Sequence, residues 1–189
     1  MIPSVSITII SRIMVELARK RPFYAQGLRF SCTRCSACCR YDSGYVFLSE
    51  KDVSSLVVAL KMGYEEFTGT FCRWVSWFPE GTGENGTERL SLKEKPNYDC
   101  IFWVSEGGCS VYETRPLQCR AFPFWLSALN SGKSWEMTSE HCPGIGQGTL
   151  HSPESIEKWL VLRQNEPIIS REFQTREFLT KEFIKKGES

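Results

Sequence analysis

Four cysteines fall within one short run, Cys32-Thr33-Arg34-Cys35-Ser36-Ala37-Cys38-Cys39, a C-x2-C-x2-C-C pattern that no ordinary hydrophobic core demands. Two-residue spacing lets one loop turn successive thiolates toward a common centre, as in zinc knuckles and ferredoxin-type loops. The loop from Phe30 to Tyr41 is polar, so it offers inert thiols no core to hide in. The doublet Cys38-Cys39 is the awkward part. Neighbouring side chains point to opposite faces of an extended segment and about 100° apart on a helix. The expectation is that one of the pair is a spectator, or that each faces a different metal site. Downstream, Cys100, Cys109, Cys119 and Cys142 bring the candidate ligands to eight, enough for two four-cysteine sites. The ninth cysteine, Cys72, stands alone in Phe71-Cys72-Arg73 and reads as a core residue. Only His141 and His151 offer nitrogen, and His141, beside Cys142, is the fallback ligand.

Whether such cysteines are ligands or disulfides depends on compartment. Met1 to Val15 is apolar but has no basic leader, is interrupted by Arg12, and is followed by no small-residue cleavage site. It is too short to span a bilayer. Ile10, Ile13, Met14, Leu17 and Ala18 instead repeat at helical spacing, which predicts an amphipathic helix over about 5–20. A cytoplasmic, reducing setting follows, and with it metal ligation. The net charge of +1 gives no case for nucleic acid or an anionic membrane.

With 189 residues, 41% apolar and 24% charged, the chain is expected to fold as one domain, 1–189, with its cysteine core over about 31–148. Tyr45 to Leu48 reads as a short strand. Ser49 caps a helix with Asp52 three residues on, Val53, Leu56, Val57 and Leu60 form its apolar stripe, and Gly63 stops it. A short helix over Tyr64 to Phe71 follows. Trp74 to Lys93 reads as a hairpin around Gly81 to Gly86, and Cys100 to Tyr112 as a second around Gly107-Gly108. Thr114 and Pro116 introduce a short helix carrying Cys119; Ser152-Pro153 starts another. The triplets Arg171-Glu172-Phe173, Arg176-Glu177-Phe178 and Lys181-Glu182-Phe183 extend a C-terminal helical segment over about 152–186, docked on the core or offered to a partner protein. The fold class is therefore α+β: a small domain with short hairpins, N- and C-terminal helices, and cysteine-rich loops organised around metal centres.

Four-thiolate centres of zinc or of an oxidised four-iron cluster are anionic. Arg34, Arg40, Arg115 and Arg120, each within four positions of a candidate ligand, fit charge compensation. The C-x2-C-x2-C core, with the distant Cys142-Pro143, follows the ferredoxin pattern and favours an iron–sulfur centre of the 4Fe-4S kind. Zinc is the alternative, because soft thiolates accept both.

At these residues the chain resembles the YkgJ-like, or CxxCxxCC, cysteine-cluster family of zinc- or iron-chelating domains. The resemblance rests on Cys32, Cys35, Cys38 and Cys39, on Cys100-Ile101-Phe102, on the block from Gly108 through Cys109 and Cys119 to Pro123, and on Cys142-Pro143-Gly144-Ile145-Gly146. It implies an Fe–S-containing protein. Through the related flagellin lysine N-methylases it also implies an enzyme alternative, methyl transfer from S-adenosylmethionine to protein lysines. Support for that from the residues is thin: Gly144 to Gly148 reads as a turn with no apolar strand ahead of it, and two histidines leave little acid–base chemistry. The expected function is a metal-centre protein with a structural or electron- and cluster-handling role. The rivals are a cluster-dependent protein-modifying enzyme and a zinc-stabilised module that binds a protein through its C-terminal helix.

Overall fold

The computed structural model describes residues 21–40, 43–77 and 85–174. In chain order the elements are β1 Leu28–Phe30, a 3-10 turn Ala37–Cys39, α1 Glu50–Leu60, α2 Tyr64–Phe71, β2 Cys72–Trp77 and β3 Asn85–Leu92. There follow β4 Trp103–Val104, β5 Gly108–Cys109, a 3-10 turn Tyr112–Thr114, α3 Leu117–Ala121, α4 Leu126–Leu129, α5 Gly132–His141, β6 Ile145–His151, α6 Pro153–Asn165 and β7 Ser170–Gln174. The fold is α+β, with small antiparallel sheets. The chain divides into two compact units, 1–33 with 123–160 and 34–122 with 161–189. The expected helix over 5–20, the hairpin turn at 81–84 and the triplets beyond 174 lie outside the described residues.

In the larger unit, α1 begins with the expected capping box. Ser49 and Asp52 cap each other's backbone N–H, with Ser49 N–H donating to Asp52 Oδ2 at 2.9 Å and Asp52 N–H to Ser49 Oγ at 3.2 Å. Val53 and Leu56 are fully buried among Leu48, Phe67, Leu90, Leu92, Phe102 and Val111, and Val57 and Leu60 pack against that cluster. The helix closes earlier than Gly63. Lys61 takes the left-handed conformation (φ 55), and its N–H and that of Met62 reach Val58 and Val57 carbonyls at 3.3 and 3.0 Å. The apolar stripe ends at Leu60, so the chain turns there, accepting a non-glycine residue at positive φ. Gly63 (φ −77) starts α2 instead.

The first hairpin is present, with Cys72 opposite Leu92 and Trp77 opposite Thr87. The second is a smaller one, Trp103 opposite Cys109. The C-terminal segment departs from expectation. It is helical over Pro153–Asn165, but Ser170–Gln174 is a strand paired with β3, Arg89 opposite Ser170 and Asn85 opposite Gln174. Pro167 has no N–H to continue the helix and disfavours helical geometry at Glu166. Beyond it, Ile169 donates to Leu48 O at 2.8 Å and Leu90 donates to Ile169 O at 3.0 Å, so the edge of β3 captures the chain. Helical periodicity over 169–173 was outweighed by that free edge. Tyr45 to Leu48 is extended as expected, exchanging Leu48 N–H to Leu90 O and Leu92 N–H to Val46 O, each at 3.0 Å.

Glu94 pins the entry to that segment, accepting Gly44 N–H at 2.6 Å, Ser43 Oγ at 3.2 Å and Arg73 Nη2 at 2.6 Å. Burial pushes its carboxyl up, but the Gly44, Arg73 and Ser43 contacts outweigh this and hold it below the ordinary value. A carboxyl depressed in the folded state adds stability above its unfolded pKa and loses it as pH falls through the folded one. Glu94→Gln is therefore expected to flatten the acid limb of the stability profile, read by denaturation between neutral and acid pH. An unchanged limb would contradict this role.

In the smaller unit, β1 pairs with β6, Leu28 opposite His151 and Phe30 opposite Ile145, with a bulge between Arg29 and Phe30. Of the glycine-rich run, Gly144 lies in a turn as expected, closed by Ile145 N–H on Cys142 O at 3.1 Å, while Ile145 to Gly148 begin β6 rather than continuing the turn. A Cβ at Gly144 would collide with the Ser31 carbonyl oxygen, and one at Gly148 with the Ser31 side chain. The glycines serve close backbone approach. Tyr24, Phe124, Leu129 and Ile156 form the core, with Phe30, Trp135 and Trp159 packed against it. Phe124 and Trp135 stack at 6.0 Å. Ser131 caps α5 by accepting Ser134 N–H at 3.1 Å, and Ser152 caps α6 as expected. Among the described residues no helix is long and apolar enough to cross a membrane.

Candidate metal centre

Local backbone geometry turns the cysteine loop. Arg34 (φ 55) and Ser36 (φ 63) both adopt the left-handed conformation on either side of Cys35. Ser36 then opens the 3-10 turn that carries Cys38 and Cys39, with Cys39 N–H on Ser36 O at 2.9 Å. The result is neither the extended segment nor the regular helix against which the doublet was weighed. In this turn the two side chains converge, and Cys38 Sγ lies 3.8 Å from Cys39 Sγ. An extended segment would have separated them; the left-handed entry brings both sulfurs to one side.

The other thiols of the larger unit are delivered by the second hairpin and α3. Cys100 N–H donates to Cys39 O at 2.8 Å, tying the loop to the hairpin start. Cys109 stands opposite Trp103 in the β4–β5 ladder. Cys119 lies on α3, which is anchored by Leu117 N–H on Asp52 Oδ1 (2.6 Å) and by Gln118, bonded to Tyr45 O (2.7 Å) and Phe47 N–H (3.0 Å). These five thiols influence one another. The hydrogen bond from Cys39 lowers the Cys38 thiol, and the same bond, with burial and the neighbouring Cys38, Cys100 and Cys119, raises Cys39. Burial raises Cys119, and Cys100, Cys38 and Cys109 add to it while Arg115 opposes. Burial likewise leads the upward shifts of Cys100 and Cys109. The four raised thiols resist ionisation, and a bound cation reverses this because metal binding takes the thiolate.

Cys35 sits exposed in the same loop. Cys32 and Cys142 belong to the smaller unit, exposed and buried respectively. Phe30 pairs with Ile145, and Ser31 N–H donates to Gly144 O at 3.2 Å, so both cysteines follow from one end of the β1–β6 ribbon. His141 is exposed at the end of α5. No disulfide bond links any of the nine cysteines. Among the described residues no three His, Cys, Asp or Glu side chains close on one ion as they stand.

Cys72 is elsewhere, buried at the head of β2 within the Leu48–Phe67–Leu90 cluster, its thiol pushed up to about 12 by burial. Cys72→Ala is expected to keep the parent's full metal content while losing about 1–2 kcal/mol of apolar burial. Metal analysis with a denaturation curve checks both; loss of a stoichiometric ion would make Cys72 a ligand.

The arginines around the centre have definite partners. Arg40 pairs with the buried Asp99 at 3.2 Å and lies 3.9 Å from the Trp103 ring centroid. Arg34 and Arg115 both lie over Tyr112, at 4.2 and 3.4 Å. Arg115 Nη1 is buried without a hydrogen-bond partner, as is Trp103 Nε1. A buried guanidinium nitrogen beside thiols fits an anionic thiolate centre, whose charge it offsets. Sequence spacing flagged the arginines but not Asp99, which pairs with Arg40.

Residues 31–143 match the model of the CxxCxxCC family, described as "Putative zinc- or iron-chelating domain". Over 119 residues the chain is 23% identical to an uncharacterized protein of Methanocaldococcus jannaschii, a stretch covering 63% of this chain and 58% of that one. No solved structure matches the chain.

Proposed function

This chain belongs to the CxxCxxCC family of zinc- or iron-chelating domains, and on that premise we propose that it holds an iron–sulfur centre of the 4Fe-4S kind through its cysteine cluster. The ligand pool is Cys32, Cys35, Cys38, Cys39, Cys100, Cys109, Cys119 and Cys142, and the role is structural or electron- and cluster-handling. The observation that carries the proposal is the packing of Cys38 and Cys39, with sulfurs 3.8 Å apart, against the Cys100–Cys109 hairpin through Cys100 N–H on Cys39 O at 2.8 Å, with Cys119 on α3 close enough to help raise the Cys39 thiol. These residues come from three separate segments, and apart from ligation they gain little by meeting. Ferredoxin-type spacing in Cys32 to Cys38, and N–H donors available to sulfur, favour iron–sulfur ligation. One observation favours a mononuclear zinc site instead. The 3.8 Å between Cys38 and Cys39 sulfurs equals the edge of a thiolate tetrahedron, about 3.8 Å for metal–sulfur bonds near 2.3 Å.

Serine replacements separate ligands from bystanders. Cys100→Ser and Cys119→Ser, purified anaerobically, are expected to lose most of the bound metal, with the visible sulfur-to-iron absorbance lost alongside iron. Full metal retention by both variants would remove the second hairpin and α3 from the centre.

A further inference from the structure

Arg115 is placed by its neighbours and yet left unsatisfied. It ends the Tyr112–Thr114 turn at φ −50, ψ 141, and Pro116 after it holds this extended conformation. Its carbonyl accepts Arg120 Nε at 2.9 Å. Its guanidinium carbon lies 3.4 Å from the Tyr112 ring centroid, while Arg34, from the cysteine loop, lies over the same ring at 4.2 Å. Among the described residues no ion pair includes either arginine. Two guanidinium groups on one ring repel each other, and a buried N–H without an acceptor is destabilising. An anion close to both removes the two penalties together. Arg34 directly precedes Cys35 in the cysteine loop and shares the Tyr112 ring with Arg115, which marks the side from which that anion comes.

We propose that Arg115 is the positioning residue of the metal centre, giving its unpartnered Nη1–H to a sulfur of the bound centre. Tyr112 fixes the guanidinium plane, and Arg34 carries the cysteine loop onto the same ring. The proposal rests on the metal-centre function above and adds what sets the centre's retention and potential. A donor and positive charge at a thiolate resist its protonation, which slows metal release. In an iron–sulfur centre the same charge favours the more negative, reduced state and raises the reduction potential.

The test uses the full chain, purified anaerobically and reconstituted, as parent, Arg115→Gln, Arg115→Lys, Tyr112→Leu and the surface control Lys51→Gln. Metal content of the parent is measured first, then the rate of metal transfer to excess chelator, and, where iron and sulfide are present, the midpoint potential of the visible band. Arg115→Gln is expected to release metal at least tenfold faster and to titrate at lower potential. Arg115→Lys should recover part of both effects, and Lys51→Gln should match the parent. Parent-like release and potential in Arg115→Gln would overturn the inference while leaving the metal centre intact. Should Arg115→Gln fail to fold, Tyr112→Leu decides: faster release with a native circular-dichroism spectrum supports the inference, and a parent-like rate overturns it. A parent that holds no metal after reconstitution would overturn the proposed function and this inference together.

Discussion

Stripping the metal is expected to remove hydrogen-exchange protection from residues 31–40 while α1 keeps its own. None of the residues 31–40 is buried, and their backbone is held by few bonds, chiefly those of the 3-10 turn and the Cys100 N–H on Cys39 O. Two residues in left-handed geometry add cost. On the proposed function, ligation would offset it, since binding to the native state alone adds stability by mass action, and structural zinc contributes roughly 10 kcal/mol or more. Gly108 to Tyr112 is expected to loosen next, because its hairpin is only two residues deep. The α1 helix has fully buried Val53 and Leu56 and resists longer. Exchange measured on loaded and stripped protein tests the order. Equal protection of 31–40 in both states would mean that the metal sits on a preformed scaffold.

The second large effect is at Asp52. Its carboxylate is 3% exposed and accepts three donors: Ser49 N–H at 2.9 Å, Ser49 Oγ at 2.8 Å and Leu117 N–H at 2.6 Å. The first two cap α1, and the third anchors α3, which carries Cys119. Asp52→Ala leaves two buried backbone N–H groups without acceptors, each costing about 1–3 kcal/mol, and removes half of the capping box. A loss of about 3 kcal/mol in chemical denaturation is expected, with faster metal release through the freed α3. Asp52→Asn, which keeps an acceptor, should fall between. A loss under about 1 kcal/mol would show that water replaces the carboxylate at this site.

Elements whose signals are local were legible before any coordinates. The Ser49–Asp52 capping box, the Ser152 cap and the glycine-punctuated hairpins each specify themselves within a few residues, and each formed. What failed was set at long range. Ser170–Gln174 has helical periodicity, yet the open edge of β3 and Pro167 decide its state. Ile145 to Gly148 read as part of a turn because Ser31, which approaches Gly148 closely, is distant in sequence; only Gly144 keeps the turn. Helix α5 escaped notice because it has no buried residue and hence no apolar stripe.

The site divides in the same way. The cysteine spacing marked the loop, and Cys100 N–H on Cys39 O ties the second hairpin to it. The doublet was weighed in regular strand or helix geometry, whereas it lies in a 3-10 turn with its sulfurs 3.8 Å apart. The Tyr112 stack and the Asp99–Arg40 pair became visible only with side chains in place, since cation–π geometry leaves no fixed spacing in sequence.

Iron, zinc and acid-labile sulfide, counted per chain on protein purified and held without oxygen, test the central claim most directly. An iron–sulfur centre on this cysteine set predicts iron and sulfide in equal amounts, about four of each per cluster, with little zinc. Zinc in whole-number stoichiometry without sulfide, or no metal at all, would contradict it.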